Sequence, residues 1–170
     1  TKYAKLAEIF GGRLKTTGDV FVPSADFYDL LSTEEGISQA AKQIYQWIGV
    51  KPYRLHVTFS ESLRTSPKSI KSDSVIIPSD LKPYPYYTGT YLALYILNHI
   101  IRDKFKYPLA SAGFVEYASI QTGLGLVVLN GISGTRSIRM RLHHFLKGQW
   151  QAHRIFQLHD YRAADYALGV

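Results

Sequence analysis

The segment from Thr88 to Phe105 constrains this chain most, because its apolar residues go almost all the way round a helix. A surface helix carries its apolar residues on one stripe, whereas a helix that is apolar on all sides must be covered by other elements. Thr88 or Thr90 is predicted to cap its start. A second helix is predicted from about Ala112 to Leu129. The sequence therefore predicts a buried central helix pair within residues 88–131.

A third helix is predicted over residues 31–49, on the N-terminal side of this pair. Ser32 with Glu35 three residues on resembles a capping box, and apolar residues then recur at helical spacing. Gly49 is predicted to stop the helix, since glycine readily adopts the left-handed conformation common at helix ends.

Strands and a loop are predicted over residues 53–78. Apolar residues at 53, 55, 57 and 59 alternate with polar ones, which is typical of a strand with one buried face and puts His56 on the polar face. Val75–Ile77 forms a second short strand after a Ser- and Lys-rich loop. The fold class is therefore α+β, with a small antiparallel or mixed sheet packed on the helix pair, and residues 1–170 are predicted to form one domain.

Composition narrows the chemistry available to the chain. With no cysteine among 170 residues, disulfides, cysteine-ligated zinc and thiol catalysis are excluded, so a metal would need His, Asp, Glu or Tyr. The net charge of +7 favours anionic partners. No apolar run reaches the roughly 20 residues that span a bilayer, and the N-terminus lacks the apolar stretch of a signal peptide. A soluble, by default cytoplasmic, protein is the expectation.

His99 is the first candidate for metal chemistry, since it lies within the apolar central helix and Glu116 lies near the start of the next one. Three segments, SVIIPSDLKPYPYYTGTYLALYILNHI, VEYASIQTGLGLVVLNG and LHDYRAADYAL, follow one another here. This order resembles the smallest zinc metallopeptidase domains of the glutamate-zincin class, across roughly residues 38–168. The resemblance implies a zincin-like fold, with zinc as the candidate cofactor and His99 and Glu116 as remnants of its ligand set.

The chain departs from that family at the residues that perform catalysis. In the family, two His four residues apart bind the metal and a Glu beside the first is the general base. Here Tyr95 stands at the first ligand and Ile96 at the base. A register that begins at His99 places Ile100 at the base and Asp103 at the second ligand, and fails as well. Losing a general base typically costs ~10²–10⁴-fold in rate, so no residue is assigned as catalytic.

These departures predict a catalytically inactive, metallopeptidase-like domain that acts as a protein-binding or structural module with an unknown protein partner. Two other interpretations of the same residues stay open. His99, Tyr95 and Glu116 could form a hydrogen-bonded polar cluster in the core. They could instead belong to a metal-dependent hydrolase with an atypical His/Glu site.

The basic C-terminal region, residues 132–170, suggests a different class of function. Its cations alternate with aromatic residues, and bases can stack on aromatics while Arg and Lys contact phosphates. This pattern predicts binding of nucleic acid or another polyanion, although a solvated strand face explains part of it equally well. The candidate polyanion-binding residues are Arg136, Arg139, Arg141, Lys147 and Arg154.

Overall fold

A computed structural model describes residues 1–14, 19–60, 74–105 and 112–133. Within these ranges the protein is a mostly helical α+β structure, with six α-helices and a two-stranded sheet. The helices are α1 (Lys2–Phe10), α2 (Ala25–Asp29), α3 (Glu34–Ile48), α4 (Pro85–Phe105), α5 (Ala112–Gln121) and α6 (Gly125–Ser133). The strands are β1 (His56–Ser60) and β2 (Ser74–Pro78). The predicted α+β class is confirmed at this level.

The two strands are parallel, in a register that pairs His56 with Ser74 and Ser60 with Pro78. The prediction of an antiparallel or mixed sheet is therefore wrong for the described strands. An antiparallel pair can be joined by a tight turn, whereas a parallel pair needs a dozen or more residues to return the chain to the start of the first strand. Residues 61–73 supply that length, so the spacing of the two strands in the sequence is compatible with a parallel pair.

The burial of β1 follows the predicted alternation. His56 and Thr58 are exposed and Val57 is buried, which confirms the polar face assigned to His56. The backbone N–H of Phe59 donates a 2.9 Å hydrogen bond to Oε1 of Glu34, at the start of α3. An edge strand with unsatisfied backbone groups can pair with other chains, so this contact protects one edge of the small sheet.

Helix α3 confirms the predicted helix and its stop at Gly49, but its N-cap lies one residue after the predicted one. Thr33 is the N-cap and accepts a 3.0 Å hydrogen bond from the N–H of Gly36. Ser32 instead lies in a preceding 3₁₀ turn, where its hydroxyl donates to Asp29 O. At the other end Gly49 adopts φ 69°, the left-handed conformation expected of a helix stop.

Helix α4 begins earlier than predicted, at Pro85. Proline suits the first helical position because its φ is already helical and its missing N–H would have no intrahelical partner there. Thr88 and Thr90 are consequently not caps but buried residues inside the helix. The Thr90 hydroxyl lies 3.2 Å from Tyr86 O, one turn back, and 3.1 Å from Val127 O of α6, so it also connects α4 to α6.

The second member of the predicted helix pair is two helices, α5 and α6, separated at Gly123. Gly123 has φ 76°. Its N–H donates to Ile120 O and the N–H of Leu124 donates to Ser119 O, the two bonds of a Schellman ending. The second helix then continues to Ser133, past the predicted end. A glycine in the left-handed conformation was the local signal for this break.

Helix α4 lies at the centre of the described fold and contacts the five other α-helices and the 3₁₀ turn Ser79–Leu81, which follows β2. Its apolar side chains are almost completely buried, as the residues Leu92, Leu94, Ile96, Leu97 and Ile100 illustrate. The prediction of a buried central helix is confirmed. None of the helices within the described ranges is long and apolar enough to cross a membrane.

Candidate functional site

Two tyrosines on α4 connect this helix to the sheet. The hydroxyl of Tyr95 donates a 2.9 Å hydrogen bond to Ser74 O, and the hydroxyl of Tyr91 donates a 3.2 Å bond to Ile76 O. Residues four apart lie on the same face of a helix, and the carbonyls of alternate strand residues lie on the same side of a strand. The two spacings match, so the pair satisfies successive carbonyls along one side of β2.

His99 continues the same face of α4, one turn after Tyr95, and its imidazole is half-buried among aromatic rings. Its ring centroid lies 4.7 Å from that of Tyr53 in an edge-to-face arrangement. The ring of Tyr95 lies 6.3 Å away and nearly parallel, at 12°. Tyr53, in the chain segment before β1, therefore brings a second part of the fold to His99.

Tyr53 is held in place by a carboxylate. Its hydroxyl donates a 2.6 Å hydrogen bond to Oδ2 of Asp103, one turn after His99 on α4. This hydrogen bond, with burial and the negative charge of Asp103, raises the pKa of Tyr53 to about 12. Asp103, which the shifted metal register placed at a ligand position, is thus a hydrogen-bond acceptor for Tyr53.

Tyr45 of α3 packs against Tyr53 and adds a buried ring to this group of aromatic side chains. Its side chain is fully buried, its ring lies 5.9 Å from that of Tyr53, and its hydroxyl has no hydrogen-bond partner among the described residues. Burial raises the pKa of Tyr45 above its usual range, with smaller contributions from Tyr95 and Tyr53. We call Tyr45, Tyr53, Tyr91, Tyr95 and His99 the aromatic cluster.

A cleft of about 740 Å³ opens beside this cluster. Three separate chain segments form it: the end of α1 with the residues after it, the segment that connects α3 to β1, and Ile100 of α4. Tyr53 lines the cleft and also contacts His99, so the cleft and the aromatic cluster share one side chain. The lining residues are Glu8, Ile9, Phe10, Gly11, Arg13, Val50, Lys51, Pro52, Tyr53, Arg54 and Ile100.

Cations dominate the charged groups of this cleft. Arg13, Lys51 and Arg54 line it together with a single carboxylate, that of Glu8, and all four side chains are exposed. Arg13 also packs on the end of α3, since a Cβ atom added at Gly49 would lie 3.2 Å from Arg13 Cδ and 3.7 Å from Nε. The glycine that stops α3 therefore leaves room for the Arg13 side chain to lie across it.

The candidate metal residues lie on different helices. His99 is half-buried on α4, whereas Glu116 is 1% exposed on α5. Within the described ranges, no group of three or more His, Asp or Glu side chains could hold a metal ion. Two further residues stand at positions that the family resemblance assigns to the first ligand and the general base. Of these, Tyr95 donates a hydrogen bond to Ser74 O, and Ile96 is fully buried.

The predicted polyanion-binding residues, Arg136, Arg139, Arg141, Lys147 and Arg154, lie outside the described residues, as does the polar loop at 61–73.

The cleft was not predicted from the sequence. No local motif indicates the cleft, because its lining comes from three chain segments that are distant in the sequence, at residues 8–13, 50–54 and 100.

Comparisons with protein-family models, with curated proteins and with solved structures found no match to this chain.

Proposed function

We propose that this chain is a catalytically inactive, metallopeptidase-like domain that acts as a protein-binding or structural module. The hydrogen bond from Tyr95 to Ser74 O carries the proposal. Tyr95 stands at the position that the family resemblance reserves for the first metal ligand. A hydroxyl that donates to a strand carbonyl connects a helix to a sheet, and that is a structural task.

The position of the general base supports the same proposal. Ile96 stands there, is fully buried, and has no atom that can accept a proton from a metal-bound water. A general base typically contributes ~10²–10⁴-fold to the rate of such a reaction. With that contribution removed, binding is a better-supported role for the domain than hydrolysis.

The surroundings of His99 are compatible with a structural role for this side chain. Its ring is packed edge-to-face with Tyr53 and lies nearly parallel to the ring of Tyr95. Catalytic zinc sites usually have three protein ligands, and this chain retains only His99 and Glu116 of the set that the resemblance implies. Zinc remains the cofactor to test, with these two residues as its candidate ligands.

Restoring one ligand tests the metallopeptidase-like geometry directly. In Tyr95→His, two imidazoles four residues apart would share one face of α4, with Glu116 on the following helix as the third ligand. We expect this variant to retain about one zinc per chain after zinc loading and desalting, measured by elemental mass spectrometry, because three protein ligands make a typical site. The wild type should retain none and should not hydrolyse casein with zinc present.

Two controls make this experiment decisive. Tyr91→His places the new imidazole one turn further along the same face, eight residues from His99, and should not gain zinc. Tyr95→His with Glu116→Gln should lose the zinc that Tyr95→His gains. If Tyr95→His keeps its helical circular dichroism but binds no zinc, the metallopeptidase-like geometry is wrong. Zinc-dependent hydrolysis by the wild type would replace the proposal with an atypical metal-dependent hydrolase.

A further inference from the structure

We propose that the cleft lined by residues 8–13 and 50–54 binds an acidic, partly apolar peptide segment of a partner protein. This inference rests on the proposed binding role of the domain and names the site and the chemistry of the partner. The cleft volume of about 740 Å³ lies within the range of roughly 300–1,000 Å³ that is typical of binding pockets.

The charge balance of the cleft selects an anionic partner. Arg13 lines it from the segment after α1, while Lys51 and Arg54 line it from the segment before β1. Glu8 offsets one of these three charges, and a helix C-terminus contributes only about half a negative charge. Because the cations come from two segments, two or more carboxylates spaced along an extended chain match them better than a single carboxylate does.

The remaining lining is apolar, which favours a peptide over a simple anion. Val50, Pro52 and Tyr53 give the cleft its partly or fully exposed apolar surface. Ile9, Phe10 and Ile100 also line it but are buried. Apolar contact adds the favourable free energy of removing surface from water, about 25 cal/mol per Å². A peptide that alternates carboxylates with branched apolar side chains satisfies both kinds of lining, since alternate residues of an extended chain point to opposite sides.

The same lining disfavours nucleic acid. Single-stranded nucleic acid binds where exposed aromatic faces stack on bases. Phe10 is only 1% exposed, and the ring of Tyr53 is in contact with His99 and Tyr45. The cleft therefore offers a base at most one partly exposed aromatic ring, that of Tyr53.

Several contacts hold the cleft in shape before a partner arrives. The Arg13 stem lies across Gly49, Pro52 restricts its own backbone, and Tyr53 is bonded to Asp103. A site whose side chains are already positioned loses less conformational entropy on binding. This arrangement favours specific recognition over diffuse attraction between charges.

The test uses the full chain and a fluorescein-labelled peptide of alternating Glu and Leu, with fluorescence anisotropy at low salt. A cleft variant combines Arg13→Gln, Lys51→Gln and Arg54→Gln. A control variant combines Lys42→Gln, Lys82→Gln and Arg102→Gln, which are exposed and lie outside the cleft. We expect the cleft variant to bind the peptide at least about tenfold more weakly and the control variant to change its affinity less than about twofold. Both variants lose the same net charge, but only the cleft variant loses the cations that would contact the carboxylates of the peptide.

Three results would overturn this inference: no binding of the Glu peptide, equal weakening in both variants, or equal binding of a peptide with Gln in place of Glu. Tighter binding of a single-stranded oligonucleotide, weakened by the cleft variant, would also overturn it and assign the cleft to nucleic acid. Mass spectrometry of the peptide recovered from each sample separates the two proposals. A cleaved peptide contradicts the inactive domain, whereas an intact but unbound peptide contradicts only the assignment of the cleft.

Discussion

The two faces of α4 are built in opposite ways. Towards α6 the helix approaches so closely that a Cβ atom added at Gly131 would overlap the Thr90 hydroxyl and lie 2.7 Å from Tyr86 O. Towards the sheet and the cleft, the long side chains of Tyr91 and Tyr95 cross a wider space and end in hydrogen bonds to strand carbonyls.

This contrast explains where a binding site can form in the fold. Close packing of two helix backbones leaves no room for a ligand and tolerates almost no added volume. A face built from long side chains with polar tips leaves space beside them, and the cleft lies at that side of α4. Added volume should therefore cost most on the first face, and the loss of a tyrosine hydroxyl should matter on the second.

The largest effect is expected for Gly131→Ala. The added methyl group would meet Thr90 and the backbone of Tyr86, and overpacking of this kind typically costs about 1–3 kcal/mol or more. We expect a loss near the top of that range, about 3 kcal/mol, in the free energy of unfolding measured with urea. The same substitution in a Thr90→Ala background should cost less, since the overlapping hydroxyl is gone. Equal costs in both backgrounds would contradict the close approach of α4 and α6.

Two tyrosine-to-phenylalanine substitutions should act in opposite directions. Tyr95→Phe removes the donor to Ser74 O and should lower the free energy of unfolding by about 1–2 kcal/mol. Tyr45→Phe removes a buried hydroxyl with no hydrogen-bond partner among the described residues and should raise it by up to about 1 kcal/mol. Urea unfolding at neutral pH measures both. A loss of equal size in the two variants would mean that the hydroxyls of the aromatic cluster are not distinguished by their partners.

The smallest effect is a pH dependence at Tyr53. Its pKa in the folded protein is about 12, above the value of about 10 expected when unfolded. The protonated hydroxyl therefore contributes stability in full below about pH 10, and that contribution is lost as the pH rises towards 12. Because Tyr53 is partly exposed, solvent should keep the contribution below about 1 kcal/mol.

The measurement compares the wild type with Tyr53→Phe in urea at several pH values from 8 to 11.5. The wild-type advantage should be largest at the acidic end of this range and should shrink above pH 10. Asp103→Asn is the matched control, because it removes the charged acceptor and should weaken the same pH dependence. A constant difference between wild type and Tyr53→Phe across the range would contradict the hydrogen bond.

Much of the local structure could be predicted because it depends on residues close in the chain. The apolar spacing after Thr33 and the stop at Gly49 define α3, and the alternation around His56 defines the exposed face of β1. The break at Gly123 could have been predicted as well. Two glycines flank Leu124, and the left-handed conformation of the first one ends α5.

The candidate site was only partly predictable. His99 stands out in the sequence because it lies within the apolar central helix, and Tyr95 because the family resemblance places the first metal ligand four residues before His99. Tyr53 was assigned to a strand face, and its contacts with His99 and Asp103 depend on how the segment before β1 packs on α4. Arg13 was not selected at all, because nothing near it in the sequence indicates that it lies across the end of α3.

The sequence by itself determined that α4 is buried, that α3 is amphipathic and ends at Gly49, and that residues 95–99 do not form a His-Glu-x-x-His motif. Periodicity, caps and motif spacing act within a few turns of the chain, so they can be read locally. The tertiary structure alone decided the parallel sense of the sheet, the burial of Glu116 on α5 and the assembly of the cleft. These features join residues tens of positions apart, and their geometry is set by how the helices pack around α4.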